Sequence, residues 1–130
     1  MSNELEYPQS LGYSSEHIWV KKEGDLLEMG ITSFAQTQLG EVVYVEMPEA
    51  GDRFEAGDVF GSIESFKTVS ELYMPVSGTI DQVNQDLEGQ PSLVNSHPYA
   101  EGWILRVKDA DADELDKLLD AHAYKAGLAG

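Results

Sequence analysis

A chain of 130 residues with 42% hydrophobic and 25% charged side chains is long enough for one packed domain over residues 1–130 and too apolar for global disorder. Its 24 acidic residues outnumber its 8 basic ones, and the formal charge of −16 argues strongly against the phosphate backbone of a nucleic acid as a partner. The chain has no cysteine, so disulfides, thiolate catalysis and cysteine metal sites are excluded, and any redox-active sulfur must come with a cofactor.

The sequence contains no apolar run of the roughly 20 residues that a membrane-spanning helix needs, so no membrane partner is expected. Residues 1–6 are acidic and lack the basic start and the apolar core of a secretory signal. A mitochondrial transit peptide would be rich in arginine and poor in acidic residues. These features predict a bacterial cytoplasmic protein, or a mitochondrial one only if a transit peptide has been removed.

Strand patterns dominate the chain. Alternation of apolar and polar side chains between Gly and Pro turns predicts strands at residues 17–21, 26–31, 41–46, 79–84 and 103–107. The first two are separated by the turn signal Glu-Gly-Asp and are predicted to form a hairpin. A short helix is predicted over residues 33–40, with Ser33 and Gln36 as a capping box and Gly40 just past its end.

Residues 59–64 and 69–74 also alternate, and the four residues between them predict a turn with Lys67 at the tip of a hairpin. Near the C-terminus the period changes, and Asp111 starts a predicted amphipathic helix. The members of its apolar face are Leu115, Leu118, Leu119 and His122. Many short strands with frequent Gly and Pro turns predict a mainly β sandwich or barrel, with this helix laid on it.

Lys67 is the residue whose setting points most directly to a function. The chain has few cations, and this one stands at a predicted exposed apex beside small polar residues, as a side chain presented for covalent modification does. A lone lysine in a turn is nearly always only solvated. Three neighbours favour more than that: Glu64 three residues earlier, Phe66 directly before it, and the run Pro-Val-Ser-Gly that ends at Gly78.

Residues 64–68, Glu-Ser-Phe-Lys-Thr, resemble the lipoyl-attachment hairpin of the glycine cleavage system H proteins, which is usually Glu-Ser-Val-Lys-Ala. Further similar segments are residues 30–36, 39–48, 93–99 and 102–105, and the resemblance is strongest over residues 11–124. It implies a lipoyl/biotinyl-type barrel-sandwich hybrid of two antiparallel sheets. An N-terminal hairpin, short helices and a C-terminal amphipathic helix complete the implied fold.

The resemblance implies a carrier protein, not an enzyme, with lipoic acid bound covalently to Lys67. Such a carrier takes an aminomethyl group from glycine decarboxylase, a pyridoxal-phosphate enzyme, and delivers it to the tetrahydrofolate-dependent aminomethyltransferase. Dihydrolipoamide dehydrogenase, which contains FAD, then reoxidises the carrier. Glu64 and Gly78 occupy the positions by which lipoylating enzymes recognise the hairpin. A monomer is expected of a protein that moves between several enzymes.

A surface cleft that shelters the loaded arm is also implied by the resemblance. The positions of this chain that align with the arm-binding region are Glu16, Ile18, Gln38 and Glu71. The chain departs from the family pattern at two of them, because many relatives have glutamate at Ile18 and some have histidine at Gln38.

Other functions are open to the sequence. An H-like protein that relays lipoyl groups to 2-oxo-acid dehydrogenases would look nearly the same, and an unmodified β-rich interaction module would need Lys67 only as a surface residue. A biotin carrier is less favoured, because that family has Met-Lys-Met around its lysine. An independent enzyme is the least favoured, since a Ser65–Lys67 pair in an exposed turn is poorly activated and the three histidines lack metal-ligand spacing.

Overall fold

The computed structural model describes residues 7–129, and most of its regular structure is extended. The strands are β1 (Gly12–Tyr13), β2 (Ile18–Glu23), β3 (Leu26–Ile31), β4 (Val42–Glu46), β5 (Arg53–Phe54), β6 (Val59–Ser65), β7 (Val69–Tyr73), β8 (Gly78–Val83) and β9 (Leu105–Lys108). The helices are α1 (Ser33–Leu39), α2 (Asp86–Gly89), α3 (Leu93–Ser96), α4 (Ala112–Leu115) and α5 (Ala121–Ala129). No helix among residues 7–129 is long and apolar enough to span a bilayer. The acidic N-terminal run, residues 1–6, lies outside the described residues.

The strands form two antiparallel sheets, which confirms the fold that the family resemblance implies. The larger sheet has the order β1-β2-β3-β9-β8-β5, and the smaller one has the order β4-β6-β7. The predicted N-terminal hairpin is β2–β3, in which Ile18 is paired with Ile31 and Glu23 with Leu26. The predicted hairpin around Lys67 is β6–β7, which therefore includes the central strand and one edge strand of the smaller sheet.

The main core lies between the two sheets. Ile63 and Leu72 of the β6–β7 hairpin are 0% and 5% exposed and pack in one cluster with buried side chains of the larger sheet, including Met29, Ile80 and Val107. Since successive side chains of a strand point to opposite faces, the residues between these buried positions face outward. The hairpin that carries Lys67 is thus fixed from its inner face.

A second, smaller cluster covers the other side of the N-terminal hairpin. Trp19 points away from its strand neighbours Ile18 and Val20, which belong to the main core, and packs with Leu11, Tyr13, Ala121 and Tyr124. Burial on both faces explains why three successive residues of β2 are apolar. The cluster attaches α5 to the sheet.

The short helix α1 begins one residue earlier than a Ser33 cap requires. Thr32 is the N-cap, with extended backbone angles and a side-chain oxygen that accepts a hydrogen bond from Ala35 N–H. The predicted Ser33 capping box is therefore wrong, because Ser33 is already the first helical residue. Gly40 follows the helix as predicted, at a φ of 78° that favours glycine, and its N–H donates to the Gln36 carbonyl.

The predicted C-terminal amphipathic helix is broken in the structure. Asp111 caps the four-residue helix α4 as expected, but the chain is extended at Leu119, whose N–H and carbonyl both pair with Tyr13 at 2.8 Å. A new helix, α5, then begins at Ala121. The prediction of one continuous helix is wrong because pairing with β1 replaces the helical hydrogen bonds there. His122 is exposed instead of lying on the apolar face, and Tyr124 is the buried residue.

A hydrogen-bonded network connects α5, the start of β2 and the cap of α1. The hydroxyl of Tyr124 lies 2.7 Å from His17 Nδ1 and 2.7 Å from Thr32 Oγ1. Thr32 N–H donates to the His17 carbonyl, and His17 has a φ of 72°, which a residue other than glycine adopts only when its surroundings hold it. Burial lowers the pKa of His17, and the nearby Glu16 carboxylate opposes this only in part.

Gly78 opens β8 at a point of close packing. A β-carbon built there would overlap Cγ1 of the buried Val107 and approach the Lys108 carbonyl oxygen to 3.2 Å. The preceding residue is also held, since Ser77 N–H and Oγ bind the two carboxylate oxygens of Glu114 at 2.6 and 3.2 Å. Gly78 is therefore a position at which the fold requires glycine.

Replacement of Gly78 by alanine should lower the free energy of unfolding by about 1–3 kcal/mol, because the added methyl group overpacks this contact with Val107. Urea unfolding of the two proteins measures the difference. Gly127→Ala is the matched control: apart from its own helix, no atom lies within 4 Å of its β-carbon position, and alanine in a helix is favoured by up to about 1 kcal/mol. If Gly78→Ala were as stable as the parent protein, the structure around Val107 would accommodate the methyl group without cost, which would contradict the prediction.

Acidification should reveal the burial of His17. Because the folded protein favours its neutral form, the unfolded chain takes up a proton first, and stability falls as the pH drops below about 6.5. His17→Asn keeps a residue that tolerates positive φ but does not titrate. The variant should lose about 1 kcal/mol at pH 7 with the Tyr124 hydrogen bond, and should lose less additional stability between pH 7 and 5.5. Parallel curves for His17→Asn and the parent protein would contradict the assignment.

Candidate functional site

Lys67 lies in a two-residue loop at the end of the β6–β7 hairpin. Glu64 is paired with Val69, and Ser65 N–H donates to the Thr68 carbonyl at 2.8 Å, so that only Phe66 and Lys67 lie beyond the last paired residues. The predicted four-residue turn, residues 65–68, is confirmed, with its outer two residues closing the ladder. The side chains of Phe66 and Lys67 are both exposed.

Ser65 fixes the conformation of this tip. Two-residue hairpin loops usually need positive φ angles, yet among residues 7–129 only His17, Asp109 and certain glycines have them. The buried Ser65 hydroxyl compensates, because its oxygen accepts hydrogen bonds from the N–H groups of Lys67 and Thr68, each at 3.1 Å. Phe66 N–H donates to the Glu41 carbonyl at 3.2 Å and attaches the tip to the adjoining chain. This role of Ser65 was not predicted, although serine at the start of a turn is a known signal for such hydrogen bonds to the backbone.

The Lys67 amine extends over the C-terminal end of α1. Its Nζ donates to the Gln38 carbonyl at 3.4 Å, and its Cδ lies 3.0 Å from the position of a β-carbon on Gly40. Lys67 takes part in none of the ion pairs formed among residues 7–129. In the sequence it is also the only lysine or arginine between Arg53 and Arg106. The amine is therefore accessible, far in sequence from any other cation, and held by one weak hydrogen bond.

The structure places the predicted arm-cleft residues in three different settings. Glu16 and Glu71 come together around Tyr73: the Tyr73 hydroxyl donates to Glu71 at 3.2 Å, and its pKa is raised by this hydrogen bond, by the charge of Glu71 and by that of Glu16. Gln38 lies beside Lys67 but contacts it through its backbone oxygen. Ile18 is 1% exposed in the main core and offers no surface to an arm.

A surface cavity of about 530 Å³ is lined in part by Glu16, Gly57, Tyr73 and Pro75, and Glu71 adjoins it through its hydrogen bond with Tyr73. Tyr73 was not predicted as a site residue. It lies two residues after Glu71 on the same strand, so both side chains are on one face. A larger cavity of about 1100 Å³ lies elsewhere, between Tyr44 and Trp103, and none of the predicted site residues lines it.

The two predicted recognition residues differ in accessibility. Glu64 is exposed on β6, three residues before Lys67 and on the smaller sheet. Gly78 is buried on the larger sheet. A modifying enzyme can contact the first and cannot contact the second in the folded protein. Among residues 7–129 there is no group of three or more His, Asp or Glu side chains arranged to hold a metal ion.

Comparisons with known proteins agree with this geometry. The family model described as glycine cleavage H-protein matches residues 11–129. The glycine cleavage system H protein of Bacteroides thetaiotaomicron is 48% identical over 126 residues, which cover 97% of this chain and 100% of that protein. That of Bacillus subtilis is 49% identical over 121 residues, 93% of this chain and 95% of that protein.

A solved structure is similar over nearly the same extent. The crystal structure of a glycine cleavage system H protein from Mycobacterium marinum superposes with a TM-score of 0.85 at 35% identity, and covers 95% of this chain and 99% of that one. The resemblance inferred from the hairpin is confirmed by these matches. The chain belongs to the glycine cleavage H-protein family, the lipoyl carriers of the glycine cleavage system.

Proposed function

We propose that Lys67 is the residue of this chain that bears lipoic acid, as an amide on Nζ. The observation that carries the proposal is the exposure of this amine at the tip of a hairpin whose backbone is fixed by Ser65. Acylation joins Nζ to the activated carboxyl carbon of the acid and releases the activating group and a proton. The weak contact with the Gln38 carbonyl is the only hydrogen bond of this amine with residues 7–129, so little has to be broken.

The hairpin and the rest of the chain then have separate tasks. When bound, a lipoyl group supplies a disulfide–dithiol pair that exchanges two electrons and carries an aminomethyl group; the chain itself has no cysteine to do so. The two sheets supply a rigid base, and the exposed tip lets the attached group enter separate active sites. Tethering keeps its local concentration high at each of them.

The finer assignments of partners follow from this carrier role. Glycine decarboxylase would load the carrier, the aminomethyltransferase would unload it onto tetrahydrofolate, and dihydrolipoamide dehydrogenase would restore the disulfide. The excess of acidic side chains, 24 against 8 basic ones, favours basic docking surfaces on these enzymes and on the lipoylating enzyme. The cytoplasmic location and the monomeric state stay predictions.

We place the resting position of the loaded arm along β7, toward the cavity at Glu16, Glu71 and Tyr73. Four residues of strand separate Lys67 from Glu71, a distance of about 13 Å. A carried amine is cationic when protonated, and the carboxylates of Glu16 and Glu71 on either side of this path provide the complementary charge. Gln38 lies at the base of the arm. Ile18 contributes only by supporting the start of β2 from within the core.

Covalent attachment is tested directly by mass. Incubation of the purified protein with a lipoate ligase, lipoate and ATP should raise its intact mass by one lipoyl group, on a peptide that contains Lys67. Lys67→Arg should abolish the gain, whereas Lys117→Arg, a change at another exposed lysine, should leave it unchanged. An unmodified parent protein would instead favour a β-rich interaction module.

The cleft is tested by the stability of the load. Formaldehyde release from the loaded protein should rise about two- to fivefold in Glu71→Gln, because an exposed charge pair contributes at most about 1 kcal/mol. Glu88→Gln, at an exposed position that neither lines the cavity beside Tyr73 nor forms a hydrogen bond with Tyr73, should release formaldehyde at the parent's rate. Equal release from all three proteins would remove the protective role of Glu71. Ile18→Glu does not serve here, since it would place a charge in the core.

A further inference from the structure

The side chain of Asn95 joins α3 to the segment that connects α1 with β4. Its Oδ1 accepts a hydrogen bond from Val42 N–H at 2.9 Å, and its Nδ2 donates to the Gly40 carbonyl at 2.8 Å and to Gln36 Oε1 at 3.1 Å. These partners fix the orientation of the amide, since a backbone N–H can only donate and a carbonyl can only accept. We call residues 38–42, which these bonds hold, the junction.

The junction needs a side-chain partner because the chain turns there beside a strand edge. Gly40 follows the helix with a φ of 78°, and Val42 then starts β4, which lies at the edge of the smaller sheet. Val42 is 1% exposed, so an unpaired N–H at this residue would be costly. Asn95 takes the place that a further strand would have in a wider sheet.

The junction is also the surface on which the Lys67 side chain rests. The Gln38 carbonyl accepts the hydrogen bond from Nζ at 3.4 Å, and Cδ of Lys67 lies 3.0 Å from the β-carbon position of Gly40. The Glu41 carbonyl accepts the hydrogen bond from Phe66 N–H at the hairpin tip. Three residues of the junction therefore contact the tip, so the order of the junction determines what the Lys67 side chain can contact.

We propose that Asn95 is a positioning residue for the acylated arm. It holds the junction so that the Gln38 carbonyl accepts the one N–H that remains on Nζ of Lys67 after acylation. The inference rests on the proposed lipoyl attachment. Acylation removes the charge of the amine, so this hydrogen bond and the packing of the stem against Gly40 direct the start of the arm in place of electrostatic attraction.

The amide that acylation creates is rigid, and this gives the hydrogen bond its effect. A secondary amide is planar, and its N–H lies in that plane on the side opposite to its carbonyl oxygen. Donation to the junction therefore orients the first atoms of the arm as well as Nζ. It limits the positions that the far end of the arm samples between enzymes, and so raises its effective concentration near the carrier's own surface.

The hydrogen bond directs the arm only where its acceptor is already in place. Fixing the backbone of one residue costs conformational entropy comparable to the net contribution of one hydrogen bond. A mobile Gln38 carbonyl would lose as much in ordering as it gains in bonding. The three hydrogen bonds of Asn95 hold the junction before any arm is attached, which removes that cost.

Exchange of the arm's amide proton with solvent tests the inference. Lysine labelled with ¹⁵N at Nζ gives one side-chain amide signal in NMR spectra after lipoylation, because the other lysines keep their ammonium groups. In the lipoylated parent protein this proton should exchange about three- to fivefold more slowly than in free lipoyl-lysine. In Asn95→Ala it should exchange at the rate of free lipoyl-lysine. Asn95→Asp is a milder second variant that keeps the acceptor for Val42 N–H but loses the donor to the Gly40 carbonyl, and it should also exchange faster than the parent protein.

Asn84→Ala is the matched control for lost stability. The Asn84 side chain also forms three hydrogen bonds, two through Nδ2 and one through Oδ1. Their partners are Glu101, Trp103 and Asp86. Because these partners lie outside the junction, Asn84→Ala should lower the urea midpoint as Asn95→Ala does and keep the amide exchange rate of the parent protein.

The outcomes separate this inference from the carrier role. A parent protein that gains no lipoyl group at Lys67 would overturn both. A lipoylated parent protein whose amide proton exchanges as fast as that of free lipoyl-lysine would overturn the inference and leave the carrier role intact. Slow exchange that persists in both Asn95 variants would do the same, as would fast exchange in Asn84→Ala, which would assign the effect to lost stability.

Discussion

The burial of the inner face of the β6–β7 hairpin is the constraint on which the site depends. Ile63 and Leu72 are held between the sheets, and this fixes two strands whose outer faces and tip remain in solvent. Ser65 transmits that order to the loop through two hydrogen bonds to backbone N–H groups. A lysine on a mobile loop would have to be ordered by each enzyme in turn, at a cost in binding energy, whereas here the flexibility is confined to one side chain and whatever it carries.

The sequence predicts most of this arrangement because the signals are local. Alternating side chains and Gly turns place the hairpins β2–β3 and β6–β7, and the attachment motif points to Lys67. The errors concern interactions between distant segments. Leu119 leaves a helical pattern because β1 offers it two backbone hydrogen bonds, and Ile18 is drawn into the core although its aligned position suggests a surface cleft. The residues next to Leu119 and Ile18 in the sequence reveal neither the strand with which Leu119 pairs nor how deeply Ile18 is buried.

Glu64 and Gly78 show that one motif can combine residues of different physical roles. Both lie at positions associated with recognition of the hairpin, yet Glu64 is exposed in the row beside Lys67, whereas Gly78 is buried against Val107 in the other sheet. Loss of modification after a change at Gly78 would therefore report first on the packing of β8 against β9. The spacing of a motif does not show whether a residue contacts the modifying enzyme or packs within the fold. At Gly78 the lack of space for a β-carbon indicates packing.

The charge distribution around Lys67 is related to the need for repeated dissociation. A carrier that visits several enzymes has to dissociate from each of them. A small apolar patch bordered by carboxylates suits this better than a large apolar interface, because long-range attraction raises the association rate more than it lowers the dissociation rate. The same acidic border disfavours contact between two copies of the chain. Lys67 is the exception to this charge pattern, and the proposed acylation would remove the one positive charge from the smaller sheet. The modified tip would then be both less cationic and longer, and both changes would move the working contact of later enzymes away from the hairpin tip toward the end of the arm.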